Sequence, residues 1–315
     1  MIEYNPRQTG IKLIQNTPTL SIGMPVYNGE QFLKEAIQTL LDQTYEDFEF
    51  LISDNASTDS TQEICQHFAN LDKRIRYMRN PTNLGAAANH NRLIEEARGE
   101  FFKLASDDDR HAPEFLRRCI EALDHDQEAV LCHSKTIEID QFGKTIKTDE
   151  HISKMGSAYP HVRIGDLIAL SHHYQVFGVI RLEPLKKTPL FGTFFKTDVV
   201  LLCRLALLGR FYEVPEELFF KRYHPRQSVI LAMKPELYCH WLDPNLEGKR
   251  LYPRARLLME YLKAISDSPL SLKNRILCYL TLMARLRGYS ANAWHRFKTQ
   301  SIDNKAAKPR NWDLR

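Results

Sequence analysis

Three aspartates in a row, Asp107, Asp108 and Asp109, stand between a buried strand-like run and a helix start in FFKLASDDDRHAPEFLRRC. Adjacent carboxylates repel, at a cost on the order of a few kcal/mol per close pair at protein-like dielectric. One arrangement that tolerates them is a solvated turn capping the next helix, with Pro113 in its first turn. Another is a divalent cation that cancels the repulsion. Carboxylates are hard oxygen ligands for Mg²⁺ or Mn²⁺, ions that usually reach a protein through one or two carboxylates plus substrate phosphates. The run by itself leaves both open.

Three earlier loops also carry polar groups beyond what a turn needs. PVYNGE (25–30) ends a strand at Pro25 and turns at Asn28-Gly29, where backbone N–H groups could face a ligand. In SDNASTDST (53–61), Ser60 with Glu63 reads as a capping box and Asp59 suits the positive helix end. Asp54 is not used by that account. At the last position of a buried strand its carboxylate needs a partner, and the N–H edge of a nucleobase is one candidate. NPTNLGAAANHN (80–91) places small residues at 85–88, so a helix start can pack closely on the sheet or on a ligand, with Asn83, Asn89 and Asn91 beside it.

These loops need a scaffold, and periodicity supplies one. Strand-like runs at 19–26, 48–54, 74–80 and 100–106 alternate with helical patterns. The first helical pattern places Phe32, Leu33, Ala36, Ile37, Leu40 and Leu41 on one face; others cover 60–69, 85–99 and the stretch after Pro113. Four alternations predict an α/β fold with a parallel, doubly wound sheet, whose ligands bind outside the carboxyl ends of the strands. After AVLCHS (129–134), TIEIDQFGKTIK predicts a hairpin and an antiparallel section. A helix at 198–208, a strand at 218–224 and a helical tail over about 251–288 follow, and the last twenty residues are expected to be disordered.

Composition bounds the class. Hydrophobic content of 43% and charged content of 26% over 315 residues are ordinary for a globular protein. Six cysteines without CxxC spacing read as reduced, buried thiols of a cytosolic protein, and no run reaches the length of a membrane span. From Lys249 onward lysine and arginine outnumber acids 15 to 4, whereas residues 1–248 hold 28 against 35. Such a basic helical tail could lie on an anionic membrane, on nucleic acid, or as a solvated cover on the main domain; no nucleic-acid partner is expected.

Taken in order, SIGMPVYNGEQFLKEAIQTLLDQT, ISDNASTDST, NLGAAANHN and ARGEFFKLASDDD resemble the glycosyltransferases of family 2, and TDVVLLCRLALLGRFYEVPEELFFKRYHPRQS is similar to that family's acceptor-side segment. The resemblance covers about residues 19–228. It implies a GT-A fold: a Rossmann-like nucleotide-binding half (about 19–135), an acceptor half (about 136–248) with a smaller antiparallel section, an N-terminal extension (1–18) and a basic helical C-terminal extension (249–315). Carried over, it assigns Pro25, Tyr27, Glu30, Asp54, Asn83 and Asn91 to the nucleotide and Asp107 to its ribose. Asp108 would meet a Mg²⁺ or Mn²⁺ ion, with Asp109 as a second ligand or a first-turn charge and His224 near the metal and pyrophosphate. Asp198 falls at the catalytic base, though an N-cap for a helix over 199–208 would also explain it. Two positions depart from the pattern: Ala105 and Thr197 stand where many members carry acids.

The resemblance implies inverting transfer of a sugar from a nucleoside diphosphate sugar, with uridine the expected base, to a hydroxyl of a glycan or lipid-linked acceptor. Two other classes compete. A nucleotidyltransferase should show a Gly-rich, Lys/Arg-bearing first loop, which PVYNGE lacks. A non-catalytic nucleotide-sugar binder would accommodate Ala105 and Thr197.

Overall fold

The computed structural model describes residues 17–148, 152–227 and 234–303, the last sixteen of these as backbone only. Most of the expected N-terminal extension, Ser228 and the final twelve residues lie outside the described residues.

The first half follows the alternation. Strands β1 (Leu20–Val26), β2 (Phe48–Asp54), β3 (Ile75–Arg79) and β4 (Phe101–Leu104) alternate with helices α1 (Leu33–Leu41), α2 (Thr61–Leu71) and α3 (Ala86–Glu96). All four strands run parallel, in the order β3-β2-β1-β4. β2 is buried at every position, as a strand covered on both faces must be. The predicted face of α1 packs inward through Leu33, Ala36, Ile37 and Leu40.

The second half is more mixed than the hairpin reading implied. A short β5 (Arg110–His111) precedes α4 (Phe115–His125), β6 (Ala129–Ile139) and β7 (Thr145–Thr148). α5 (Pro160–Ala169), β8 (Val179–Arg181), α6 (Leu182–Lys186), α7 (Thr197–Leu208) and β9 (Arg210–Arg222) follow. The sheet continues β4-β8-β6-β9-β5, with β7 on β6 as predicted. β8 runs antiparallel to both β4 and β6, whereas β9 lies parallel to β6. β9 begins eight residues before the strand expected at 218–224, because its first half pairs with β6 through several register shifts. Such irregular pairing blurs a period-2 pattern.

Helices α8 (Pro235–Leu242), α9 (Pro253–Asp267) and α10 (Leu272–Asp303) complete the chain, and the α10 backbone continues into the stretch expected to be disordered. The two apolar cores lie one on each side of the sheet. One joins α1, α2 and α4; the other joins α3, α5, α7, α9 and α10.

Two features of this packing make testable demands. His111 is buried between the rings of Phe115 and Phe219, at 5.2 Å from each, and neither ring nitrogen has a hydrogen-bond partner among the described residues. Burial, then the nearby Lys103 ammonium, hold its pKa well below 6.5. A lowered folded value means that the unfolded chain takes the proton first. The stabilising contribution is therefore full above pH 6.5 and is lost as pH falls. Between about pH 7.5 and pH 5.5 the wild type should lose about 1.4 kcal/mol more than His111→Phe, read from urea titrations at the two pH values. Gly85 opens α3 with φ of 84° and ψ of 160°, and a Cβ there would lie 2.3 Å from the Leu242 carbonyl oxygen at the end of α8. Gly85→Ala should cost about 1–3 kcal/mol and speed hydrogen exchange across residues 235–242.

Candidate active site

The four strand-end loops meet at one cleft of about 720 Å³, within the size range of small-molecule sites. Its walls also include the turn at residues 171–177, the start of α7, the end of β9 and the inner side of α8.

Loops 1 and 2 are joined to each other. Asn28 N–H donates to Ser57 Oγ (3.0 Å), Gly29 N–H to Thr61 Oγ1 (3.0 Å) and Glu30 N–H to Asp59 Oδ2 (3.2 Å). The amides expected to face a ligand therefore serve the neighbouring loop. The capping box is corrected as well: Ser60 makes no side-chain cap, its N–H donates to Glu30 Oε2 (3.0 Å), and Asp59 Oδ1 takes the Thr61 N–H (3.0 Å). Asparagines extend the network. Asn55 Nδ2 donates to Asn83 Oδ1 (2.8 Å), Asn80 Nδ2 to Asn55 Oδ1 (2.9 Å), and Asn89 exchanges hydrogen bonds with Ser53. Pro25, Tyr27, Asn55, Asn83 and Asn89 line the cleft on this side, with Tyr27 48% exposed.

Of the other residues expected here, Glu30, Asp54 and Asn91 are not among the cleft-lining residues. Glu30 is spent on the Ser60 amide. Asp54, fully buried, accepts from Ser57 N–H (2.8 Å), Tyr77 Oη (2.8 Å) and the Arg79 guanidinium, so its carboxylate has partners within the protein. Asn91 holds the Phe191 backbone with both ends of its amide, each at 2.9 Å.

The aspartate run divides into three environments. Asp107 lines the cleft against Gly29, where an added Cβ would sit 2.3 Å from its Oδ2. Burial, then the Asp108 charge, raise its pKa. Asp108 also lines the cleft, accepting from His224 Nε2 (3.0 Å) and Ser106 Oγ, with Lys221 Nζ at 3.6 Å. Burial would raise Asp108, but Lys221, then His224 and Ser106, outweigh it and hold the carboxyl below the usual range. Asp109 is fully buried and does not line the cleft: Lys221 Nζ reaches both of its oxygens (3.0 and 3.1 Å) and Arg222 N–H donates to Oδ1 (2.9 Å). Its expected role as a second metal ligand is corrected to that of an internal counter-charge.

Among the described residues no group of three or more His, Cys, Asp or Glu side chains could hold a metal ion alone. Asp108 with His224 nevertheless fits a hard divalent ion that completes its coordination with diphosphate oxygens and water. The Asp107 carboxylate stands beside them on the cleft wall.

On another wall of the cleft, α7 begins at Thr197 with Lys196 as N-cap, so Asp198 is in the first helical turn and the N-cap reading is corrected. Asp198 lines the cleft together with Tyr238. Burial, then the Asp198 charge, push that phenol well above its ordinary value, so it stays an O–H donor. Burial lowers His173 and His90, against the opposing charge of Asp198. Phe195, Tyr238 and Trp241 form an aromatic wall, with ring centroids 5.7 and 5.4 Å apart in sequence.

Lys221, Tyr238 and Trp241 escaped the sequence reading. Period-2 alternation through FFKRYH would have placed Lys221 on the same face as Tyr223, whereas the α8 pair carried only an i, i+3 spacing after Pro235.

Comparison with known proteins identifies the family and the fold. Residues 21–187, more than half of the chain, match the model of Glycosyl transferase family 2. An uncharacterized glycosyltransferase of Haemophilus influenzae is 34% identical over 132 residues, 42% of this chain and 52% of that protein. The putative colanic acid biosynthesis glycosyl transferase WcaA of Escherichia coli is 38% identical over 104 residues, 33% of this chain and 37% of that one. The chain thus spans about half or less of the length of these relatives. In fold it is similar to S. aureus TarS 1–349 in complex with UDP-GlcNAc, with a TM-score of 0.55 at 18% identity, over 86% of this chain and 89% of that one. It is also similar to mannosyltransferase PcManGT of Pyrobaculum calidifontis in complex with GDP-Man and Mn²⁺, with a TM-score of 0.54 at 17% identity, over 90% and 80% of the two chains. The chain belongs to glycosyl transferase family 2 and has the GT-A fold.

Proposed function

We propose that this protein is an inverting glycosyltransferase that moves a sugar from a nucleoside diphosphate sugar to a hydroxyl of a glycan or lipid-linked acceptor. The observation that carries the reading is one cleft lined together by Asp107, Asp108, His224 and Asp198. Asp198 and His224 lie beyond the family-matched residues 21–187, so their support comes from the tertiary arrangement.

In the proposed reaction the paired loops 1 and 2, with Asn83, seat the nucleoside, and Asp107 meets the ribose. Asp108 and His224 would hold Mg²⁺ or Mn²⁺, which when bound supplies positive charge against the departing diphosphate. Lys221 adds a fixed ammonium 3.6 Å from Asp108. Asp198 accepts the proton of the acceptor hydroxyl as its oxygen forms a bond to the anomeric carbon and the bond to the diphosphate breaks. Tyr238, a phenol kept neutral by burial and the Asp198 charge, stands on the same cleft as that carboxylate. The aromatic wall offers the acceptor a flat apolar face with polar edges, which suits a sugar ring. Uridine is the base we expect, in keeping with the UDP-GlcNAc complex of TarS. Assembly of a cell-surface polysaccharide, from the cytoplasmic side, is the setting we propose, in keeping with the naming of WcaA.

Calorimetric titration with UDP, GDP, dTDP and CMP, each with and without Mn²⁺, tests the donor site. One diphosphate should bind in a metal-dependent manner, and Asp108→Ala should abolish that dependence. Absence of any nucleotide binding would favour a non-catalytic scaffold. Asp198→Asn should keep nucleotide affinity while turnover falls about 10²–10⁴-fold. Near-normal turnover in that variant would remove Asp198 as the base.

A further inference from the structure

We propose that α9 and α10 form a surface that lies on an anionic lipid bilayer. α10 carries apolar side chains on two sides. Cys278 and Leu282 are fully buried in the core, whereas Leu272, Ile276, Leu280 and Met283 are 71%, 49%, 61% and 48% exposed. At 100° per residue these four fall on one arc about 80° wide, a continuous stripe rather than scattered exposure. α9 repeats the pattern: Tyr261, Ala264 and Ile265 face the core while Met259 and Leu262 are exposed.

Charge selects the occupant. Between residues 249 and 287 lysine and arginine outnumber acids nine to two. Both acids already have partners: Glu260 pairs with Arg256 (2.9 Å) and Asp267 with Arg204 (3.2 Å). Exposed Lys273 borders the α10 stripe and exposed Arg287 falls within its arc on the same count. A second copy of this chain would bring two surfaces of like charge together. A nucleic acid would meet the charge but leave the apolar stripe in water. An anionic bilayer answers both, with acyl chains under the stripe and headgroups against the cations. No helix among the described residues is long and apolar enough to cross a membrane, so the contact is interfacial. α9 also starts beside the acceptor end of the cleft, where the Arg256 guanidinium lies 5.9 Å from the Phe194 ring, next to cleft-lining Phe195. If the proposed function holds, a lipid-linked acceptor would meet the enzyme there, but docking itself does not depend on that reading.

The test is co-sedimentation of the full chain with phosphatidylcholine vesicles and with vesicles containing phosphatidylglycerol, at low and high salt. Binding should require phosphatidylglycerol and weaken about tenfold or more as salt screens it. The Ile276→Glu, Leu280→Glu double variant should lose it while keeping the wild-type melting curve and nucleotide affinity, which separates this outcome from failure of the donor site. Lys273→Glu, Arg287→Glu should weaken it as well. The proposal is overturned if the wild type ignores anionic vesicles or binds both kinds equally. It is likewise overturned if the double variant binds like wild type, or if sedimentation reveals a dimer that the double variant disperses.

Discussion

The ion cluster at the end of β9 holds the site together. Lys221 is half-buried against Asp108 and Asp109, and Arg222, 2% exposed, donates through Nε to the Asp108 carbonyl (2.8 Å), reaches Glu35 of α1, and lies 4.6 Å over the Phe32 ring. A buried charge left without its partner costs about 3–5 kcal/mol. The end of β9 therefore cannot slide along the loop after β4 without stranding ions. Because the register is held there, His224, two residues further on, arrives at Asp108. The three aspartates are tolerated in different ways. Asp108 shares Lys221 with a histidine and a serine hydroxyl and is held low, whereas burial pushes Asp107 up to about 8 and Asp109, although paired with Lys221, up to about 7.

The same economy runs through the donor side. Loops 1, 2 and 3 are connected by side chain to backbone bonds before any ligand arrives, so little ordering remains to oppose binding. The residues that do this, Ser57, Asp59, Thr61 and Asn55, are those a sequence reader assigns to turns and caps. Lys103 acts similarly beneath the cleft. Fully buried on β4, its ammonium donates to the Phe177 carbonyl (2.7 Å) and lies 4.7 Å over the Phe115 ring, tying the sheet to the turn that carries Tyr174 and Phe177. Burial pulls its pKa down to about 7.

The aromatic side of the cleft depends on a different kind of contact. α8 seats its last carbonyl where Gly85 lacks a Cβ, so the small residues at the start of α3 serve a helix some 150 residues later as well as the cleft. That seat brings Tyr238 to Asp198 and leads the chain into α9. A steric vacancy, not a specific polar bond, thus joins the strand-end loops to the aromatic wall. The basic helices that follow bury one face in the core and leave a second apolar stripe outside.

Local chemistry was enough to read the first four strands and their helices and the hairpin at Gly143, whereas the grouping of Pro25, Tyr27, Asn83, Asp107, Asp108, Asp198 and His224, all of which line one cleft, came from the family resemblance. Strong hydrophobic periodicity and motif order are properties of neighbours in sequence, and they survive folding. What each carboxylate does was decided only in three dimensions. Asp108 and Asp109 are adjacent and chemically identical, yet one lines the cleft and the other is consumed by Lys221, because β9 approaches from one side only. Asn91 spends its amide on the Phe191 backbone, a partner 100 residues away. β9 escaped full recognition because its pairing with β6 shifts register, and α8 because its partners, Gly85 and Asp198, lie far away in sequence. Such long-range pairings leave no period in the chain, so only the tertiary structure could reveal them.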